Sequence, residues 1–135
     1  GGSYLNLSNE NSYELILMTV MYGLAGRYAV RTEYEAGNGR TDFILSPKHE
    51  GIVPLVIELK RVRSDEELDE GLDDAIRQIH RMRYYSGMPG KVILIGMSIH
   101  VKTPKVRTQV IDNDPDGLSY VPTDSDMGLV EDSSS

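Results

Sequence analysis

Two consecutive apolar runs in this chain carry charge where an ordinary buried strand carries none. The first is Thr41-Asp42-Phe43-Ile44-Leu45, the second Val56-Ile57-Glu58-Leu59-Lys60. Strand alternation puts Glu58 and Lys60 on one face, about 7 Å apart along the chain. If the runs pair as a hairpin, Asp42 joins them. Two carboxylates and an amine on a mostly apolar sheet cost desolvation energy unless something uses them. A hard divalent cation held by oxygen ligands, with the amine beside it, is such a use.

The 135 residues suffice for one domain with a real core. The chain has no Cys, which excludes a disulfide framework and thiolate metal sites and fits a reducing compartment. The expected location is therefore intracellular, cytoplasmic or nuclear. No apolar stretch approaches the roughly 20 residues that span a bilayer, so no membrane association is expected. Gly1-Gly2-Ser3 reads as a vector-derived scar, and the missing initiator Met suggests a piece of a longer protein.

The net charge of −7 argues against a nucleic-acid partner until its distribution is read. Residues 65–74 and 111–135 each hold seven acidic side chains and no basic one. Residues 75–110 hold seven basic side chains, including Arg77 and Arg81, and no acidic one. That middle segment is basic enough to contact phosphates; a solvated helix face of ordinary charge is the alternative reading.

The pattern predicts a helix over residues 10–25, with Leu15, Met18, Thr19 and Tyr22 as its inward stripe and Gly23 and Gly26 ending it. Tyr28 to Glu35 alternates as a strand with one exposed side, and Gly37-Asn38-Gly39 is a turn. Strands follow at Thr41–Ser46 and Val53–Val62, with Pro54 tolerated near the start of the latter. Ser64-Asp65-Glu66-Glu67 reads as a capping box. The helix behind it carries Leu68, Leu72, Ala75, Ile76, Ile79 and the Arg83 stem on one stripe, has a weak point at Gly71, and stops at Gly87 and Pro89. Val92–Met97 is a buried strand, and a further strand is expected between Ile99 and Val110. From Asp112 the chain turns polar and acidic. The expected organisation is a domain over 4–110 and a flexible acidic tail over 111–135. Its fold class is α/β, an α+β mixed sheet in the order α-β-β-β-α-β with a helix on each side.

Several ordered pieces carry a resemblance. They are Asn9-Glu10 with Tyr13, then Glu35-Ala36-Gly37-Asn38-Gly39-Arg40-Thr41-Asp42, then Ile57-Glu58-Leu59-Lys60, then Ala75-Ile76-Arg77-Gln78-Ile79 with Tyr84, then Ile95-Gly96-Met97. Together, over about residues 9–105, they resemble the PD-(D/E)XK nuclease superfamily. Within it the chain is similar to the nuclease-like domain of unknown function often found C-terminal to an AAA-ATPase-like domain. Met82 stands where the family usually has Lys, and Ser98-Ile99 where it usually has an aromatic residue.

The resemblance implies a restriction-endonuclease-like core and a Mg²⁺- or Mn²⁺-dependent nuclease that leaves 5′-phosphate ends. Asp42 and Glu58 are the expected metal ligands, with the Leu59 carbonyl oxygen as a third and a first-helix Glu completing the shell. That Glu is Glu14, with Glu10 one turn earlier as the alternative. Lys60 is expected to stabilise or deprotonate the attacking water and to offset charge in the transition state. Gln78 is implied to support the site by bonding the water or a phosphate. Arg40 either contacts the substrate or pairs with Glu35; Arg77 and Arg81 are further substrate candidates. Tyr84 reads first as packing, and His49, His80 and His100 share no metal spacing. The plain alternatives are a strand-end Asp, a Glu paired with a neighbouring Arg, and a Lys that snorkels to solvent. DNA is the expected substrate, with an AAA-ATPase-like domain as a possible neighbour. The rivals are an RNA-directed nuclease and a nuclease-fold interaction module.

Overall fold

The computed structural model describes residues 11–35, 37 and 39–113, with side chains from Leu15 onward. The elements are α1 (Asn11–Gly23), β1 (Tyr28–Glu35), β2 (Arg40–Pro47), β3 (Leu55–Arg61), α2 (Leu68–Met82), β4 (Gly90–His100) and β5 (Thr103–Asn113). A 3₁₀ turn, Asp65–Glu67, leads into α2. The strands form one five-stranded sheet in chain order. Neighbours are antiparallel except β3 and β4, which run parallel because α2 returns the chain across the sheet. The mixed sheet with flanking helices matches the expected class and is consistent with a restriction-endonuclease-like core.

Alternation gives the sheet two apolar faces. On one, Ile44, Val56, Val92, Leu94 and Ile111 pack with Ile76 and Ile79 of α2 and with Tyr85 and Met88 beyond it. On the other, Phe43, Leu45 and Ile57 pack with Met21 of α1 and with Tyr28. The stripe expected for α1 is the wrong one. Leu15 is 49% and Tyr22 75% exposed, while Leu17, Met21 and Leu24 meet the core. Positions 15–18, 20 and 21 are all apolar, so two stripes satisfy the helical spacing and only packing chooses between them.

Three other local expectations shift. The Ser64 hydroxyl makes no cap bond; Glu67 Oε1 instead accepts the Arg63 amide at 2.9 Å. The tighter 3₁₀ winding of that first turn moves the donor amide back by one residue, from Ser64 to Arg63. α2 ends at Met82, before Gly87, with Arg83 as a left-handed cap at φ 52° whose N–H bonds the Ile79 carbonyl. Arg83 thereby leaves the buried stripe, and the turn lets Tyr85 and Met88 enter the core. Beyond β4, which runs on to His100, Val101 at φ 53° turns the chain into β5, which starts at Thr103 and ends at Asn113, later at both ends than the expected Ile99–Val110 window. Residues 114–135 lie outside the described residues, and with them nearly all of the expected acidic tail. Among the described residues, no helix is long and apolar enough to cross a membrane.

Gly71 is a packing requirement rather than a weak point. A Cβ there would overlap Ser98 Oγ and stand 2.7 Å from Val62 Cγ1. Gly71→Ala gains about 1 kcal/mol of helix propensity and loses about 1–3 kcal/mol to overpacking. The expected outcome is a lower urea midpoint with an unchanged slope; a higher midpoint would show slack between α2 and β4.

Candidate active site

The antiparallel register sets Asp42 opposite Glu58 and Arg40 opposite Lys60. On the outer side, β1 sets Glu33 opposite Asp42 and Glu35 opposite Arg40. On the inner side, β4 sets Gly96 beside Glu58 and Ser98 beside Lys60. Because these positions share the parity of Ile44, Val56 and Leu94, they lie on the α2 face of the sheet. Gly96 is what lets α2 come down over them: a Cβ there would stand 3.0 Å from Ile76 Cδ1.

That cover leaves the carboxylates dry. Asp42 is 1% and Glu58 0% exposed. Asp42 Oδ2 accepts a hydrogen bond from the Tyr84 hydroxyl at 2.6 Å. Apart from a proton shared between the two acids, Asp42 Oδ1 and both Glu58 oxygens have no hydrogen-bond partner among the described residues. Arg40 Nε approaches Glu58 Oε2 to 3.5 Å, while its Nη2 donates to Glu35 Oε1 at 3.1 Å. One guanidinium thus leans on two carboxylates, Glu35 and Glu58. Burial, then the neighbouring Asp42 by hydrogen bonding and charge, pushes Glu58 up to about 10, against the smaller opposite pull of Arg40. Burial and the bond to Asp42 likewise raise the Tyr84 phenol above its ordinary range.

Lys60 is half-buried, and its amine makes no hydrogen bond or ion pair among the described residues. It lines a cavity of about 710 Å³ with Gly39, Arg63, Glu70, Asp74 and His100. Asp42, Glu58 and Lys60 therefore share one face, with the acids inside and the amine at an opening. Leu59 has its side chain buried on the opposite face, so the group it offers is its carbonyl. Glu14 falls on α1, but its side chain lies outside the described residues, as does Glu10.

The outlying candidates are placed differently. Gln78 is buried and its Oε1 accepts from Arg81 Nη1 at 3.4 Å; among the described residues it makes no hydrogen bond with Asp42 or Glu58, which instead meet Tyr84 and Arg40. Arg77 is exposed and pairs with Asp74 at 3.3 Å. The basic segment is less available to phosphates than its sequence suggests. Lys105 pairs with Asp69 at 2.6 Å and Arg107 with Asp73 at 2.7 Å, because the acidic start of α2 lies over β5. His80 is buried between the Tyr85 hydroxyl at 2.9 Å and Gln109 Oε1 at 2.8 Å, and His100 meets Asp65 at 2.7 Å.

Tyr84 is the residue that sequence reasoning assigned to packing and that the fold brings to Asp42. Its place after the Gln-Ile pair was a signal, but its reach depends on the left-handed Arg83 turn, which has no sequence signature here.

Among the described residues, no three Asp, Glu, His or Cys side chains form a metal-holding group. The donor set still fits Mg²⁺ or Mn²⁺. Magnesium commonly takes one or two carboxylates and keeps water and phosphate as its other ligands. Three buried carboxylate oxygens that accept no hydrogen bond from a side chain outside the pair, among the described residues, supply that part, and their hardness disfavours softer metals. The family model that matches the chain is that of the PD-(D/E)XK nuclease superfamily, over residues 8–109. No curated protein matches it.

Proposed function

Because the chain belongs to the PD-(D/E)XK nuclease superfamily, we propose that it is a Mg²⁺- or Mn²⁺-dependent deoxyribonuclease that cuts within DNA strands. The observation that carries this reading is the dry Asp42–Glu58 pair with its unpartnered oxygens, two residues along the strand from an amine at the edge of a cavity. A structural acid pair that leaves most of its oxygens without a hydrogen bond is a cost that a fold sheds easily; a pair kept to hold a cation is not.

When bound, the cation supplies Lewis-acid polarisation of the scissile phosphate and a water of lowered pKa. Asp42 and Glu58 hold it, the Leu59 carbonyl offers a further oxygen, and Glu14 is the proposed first-helix ligand. The Lys60 amine orients the attacking water and offsets charge on phosphorus. Water adds to phosphorus as the bond to the 3′ oxygen breaks, leaving a 5′-phosphate and a 3′-hydroxyl. α2 excludes bulk water from the acids, which strengthens every charge interaction there. Arg40, Arg77 and Arg81 are the proposed phosphate contacts, and Gln78 the proposed support for water or phosphate. An AAA-ATPase-like domain is the proposed neighbour in a longer protein.

The test is a substrate panel of supercoiled DNA, linear DNA and single- and double-stranded RNA, with and without Mg²⁺ or Mn²⁺. We expect metal-dependent nicking of DNA and a loss of at least about a hundredfold in Asp42→Ala. Cleavage of RNA alone makes the protein a ribonuclease with the same chemistry. Equal cleavage by the native and substituted proteins would remove the site assignment. Absence of divalent-ion binding would favour an interaction module.

A further inference from the structure

We propose that Tyr84 is a positioning residue that fixes which oxygen of Asp42 faces the cation. This inference rests on the metal reading of the Asp42–Glu58 pair. The Tyr84 hydroxyl donates to Oδ2 at 2.6 Å, whereas Oδ1 is buried and, the proton shared with Glu58 aside, has no hydrogen-bond partner among the described residues. The phenol thus engages Oδ2 and leaves Oδ1 as the Asp42 oxygen better placed to take the metal. A carboxylate held at one oxygen does not rotate freely about its χ2 axis, and the ordering cost of ligation is met in advance by the fold.

The mount of Tyr84 is stiff. Arg83 closes α2 in the left-handed conformation, with its N–H on Ile79 O, and Tyr84 follows at once. The next residue, Tyr85, is 1% exposed and bonds the buried His80 ring at 2.9 Å. Asn113, at the end of β5, donates from Nδ2 to the Tyr85 carbonyl at 2.9 Å and the Met88 carbonyl at 3.0 Å. The helix end, the core and the last strand therefore all brace the backbone that carries the phenol. Tyr84 is only partly buried and joins the core cluster at its margin, so its hydroxyl is not needed to fill space.

Calorimetric titration of Mn²⁺ and Mg²⁺ into the native protein, Tyr84→Phe and Asp42→Ala, with no nucleic acid present, tests this. Tyr84→Phe removes only the hydroxyl. The expected result is metal affinity weakened roughly ten- to hundredfold, with a lowered Tm of the metal-free protein because buried Oδ2 loses its donor, and no binding in Asp42→Ala. Unchanged affinity in Tyr84→Phe, whether or not its Tm falls, assigns Tyr84 to packing and overturns the inference while the metal reading stands. Unchanged affinity in Asp42→Ala overturns the metal reading itself, and the inference with it.

Discussion

Lys60→Met is expected to lower kcat for DNA cleavage by about a hundred- to a thousandfold, with divalent-ion affinity little changed. The amine has no partner in the described fold and lines the cavity rather than the core, so its loss leaves no buried charge unpaired. Substitutions at such positions usually change stability by about 0.5 kcal/mol or less. Met keeps the apolar stem that packs along β3. The measurement is steady-state kinetics on plasmid DNA beside Mn²⁺ calorimetry and a melting curve. A fall in kcat with metal binding and Tm intact separates a group that acts on water and phosphate from one that builds the site. Native-like kcat in Lys60→Met would leave the acids without their amine partner and remove the proposed role.

The second large effect is on stability, and its sign follows from Glu58. In the metal-free fold this carboxyl stays protonated up to about 10, against an ordinary value of 4.5. Between those values the unfolded chain binds one proton fewer than the native protein at this position. The contribution is therefore fully present below the ordinary value and is lost as pH rises toward the folded one, by about 1.4 kcal/mol per pH unit. At pH 7 the accumulated loss is about 3 kcal/mol. Glu58→Gln has nothing to ionise, so the metal-free variant is expected to unfold at higher urea than the native protein at neutral pH, the gap widening from pH 5 to pH 8. Taking the difference between the two proteins removes the slopes of the other acids. Excess Mn²⁺ narrows the gap, because ligation needs the ionised carboxylate and releases its proton, and Gln offers a poorer ligand. A difference curve flat in pH would show that Glu58 is ionised and partnered in the fold. A site that costs stability when empty is the usual mark of function placed above stability.

These expectations rest on parts of the molecule that were unequally legible. The acids and the amine could be placed together from the chain because 42 lies on one apolar run and 58 and 60 on the next, and a two-residue repeat along each run fixes the face they share once the runs pair. Arg40 and Glu35, left open between substrate and ion pair, are a pair that also touches Glu58. The α1 face was not legible, because an apolar helix offers more than one stripe. The engagement of Lys105 and Arg107 by Asp69 and Asp73 was not legible either. The charge blocks are far apart along the chain, and only α2 lying across β5 makes them neighbours.

What the sequence determined by itself was the order of elements and which side chains share a face, because alternation and helical spacing are set by local backbone geometry. What only the tertiary structure decided was the partner each charged group meets and how dry it becomes. Arg40 on Glu58 comes from the β2–β3 register, and Tyr84 on Asp42 with the orphaned carboxylate oxygens from α2 closing over the sheet. That approach depends on contacts between residues distant in sequence, and no local period encodes them.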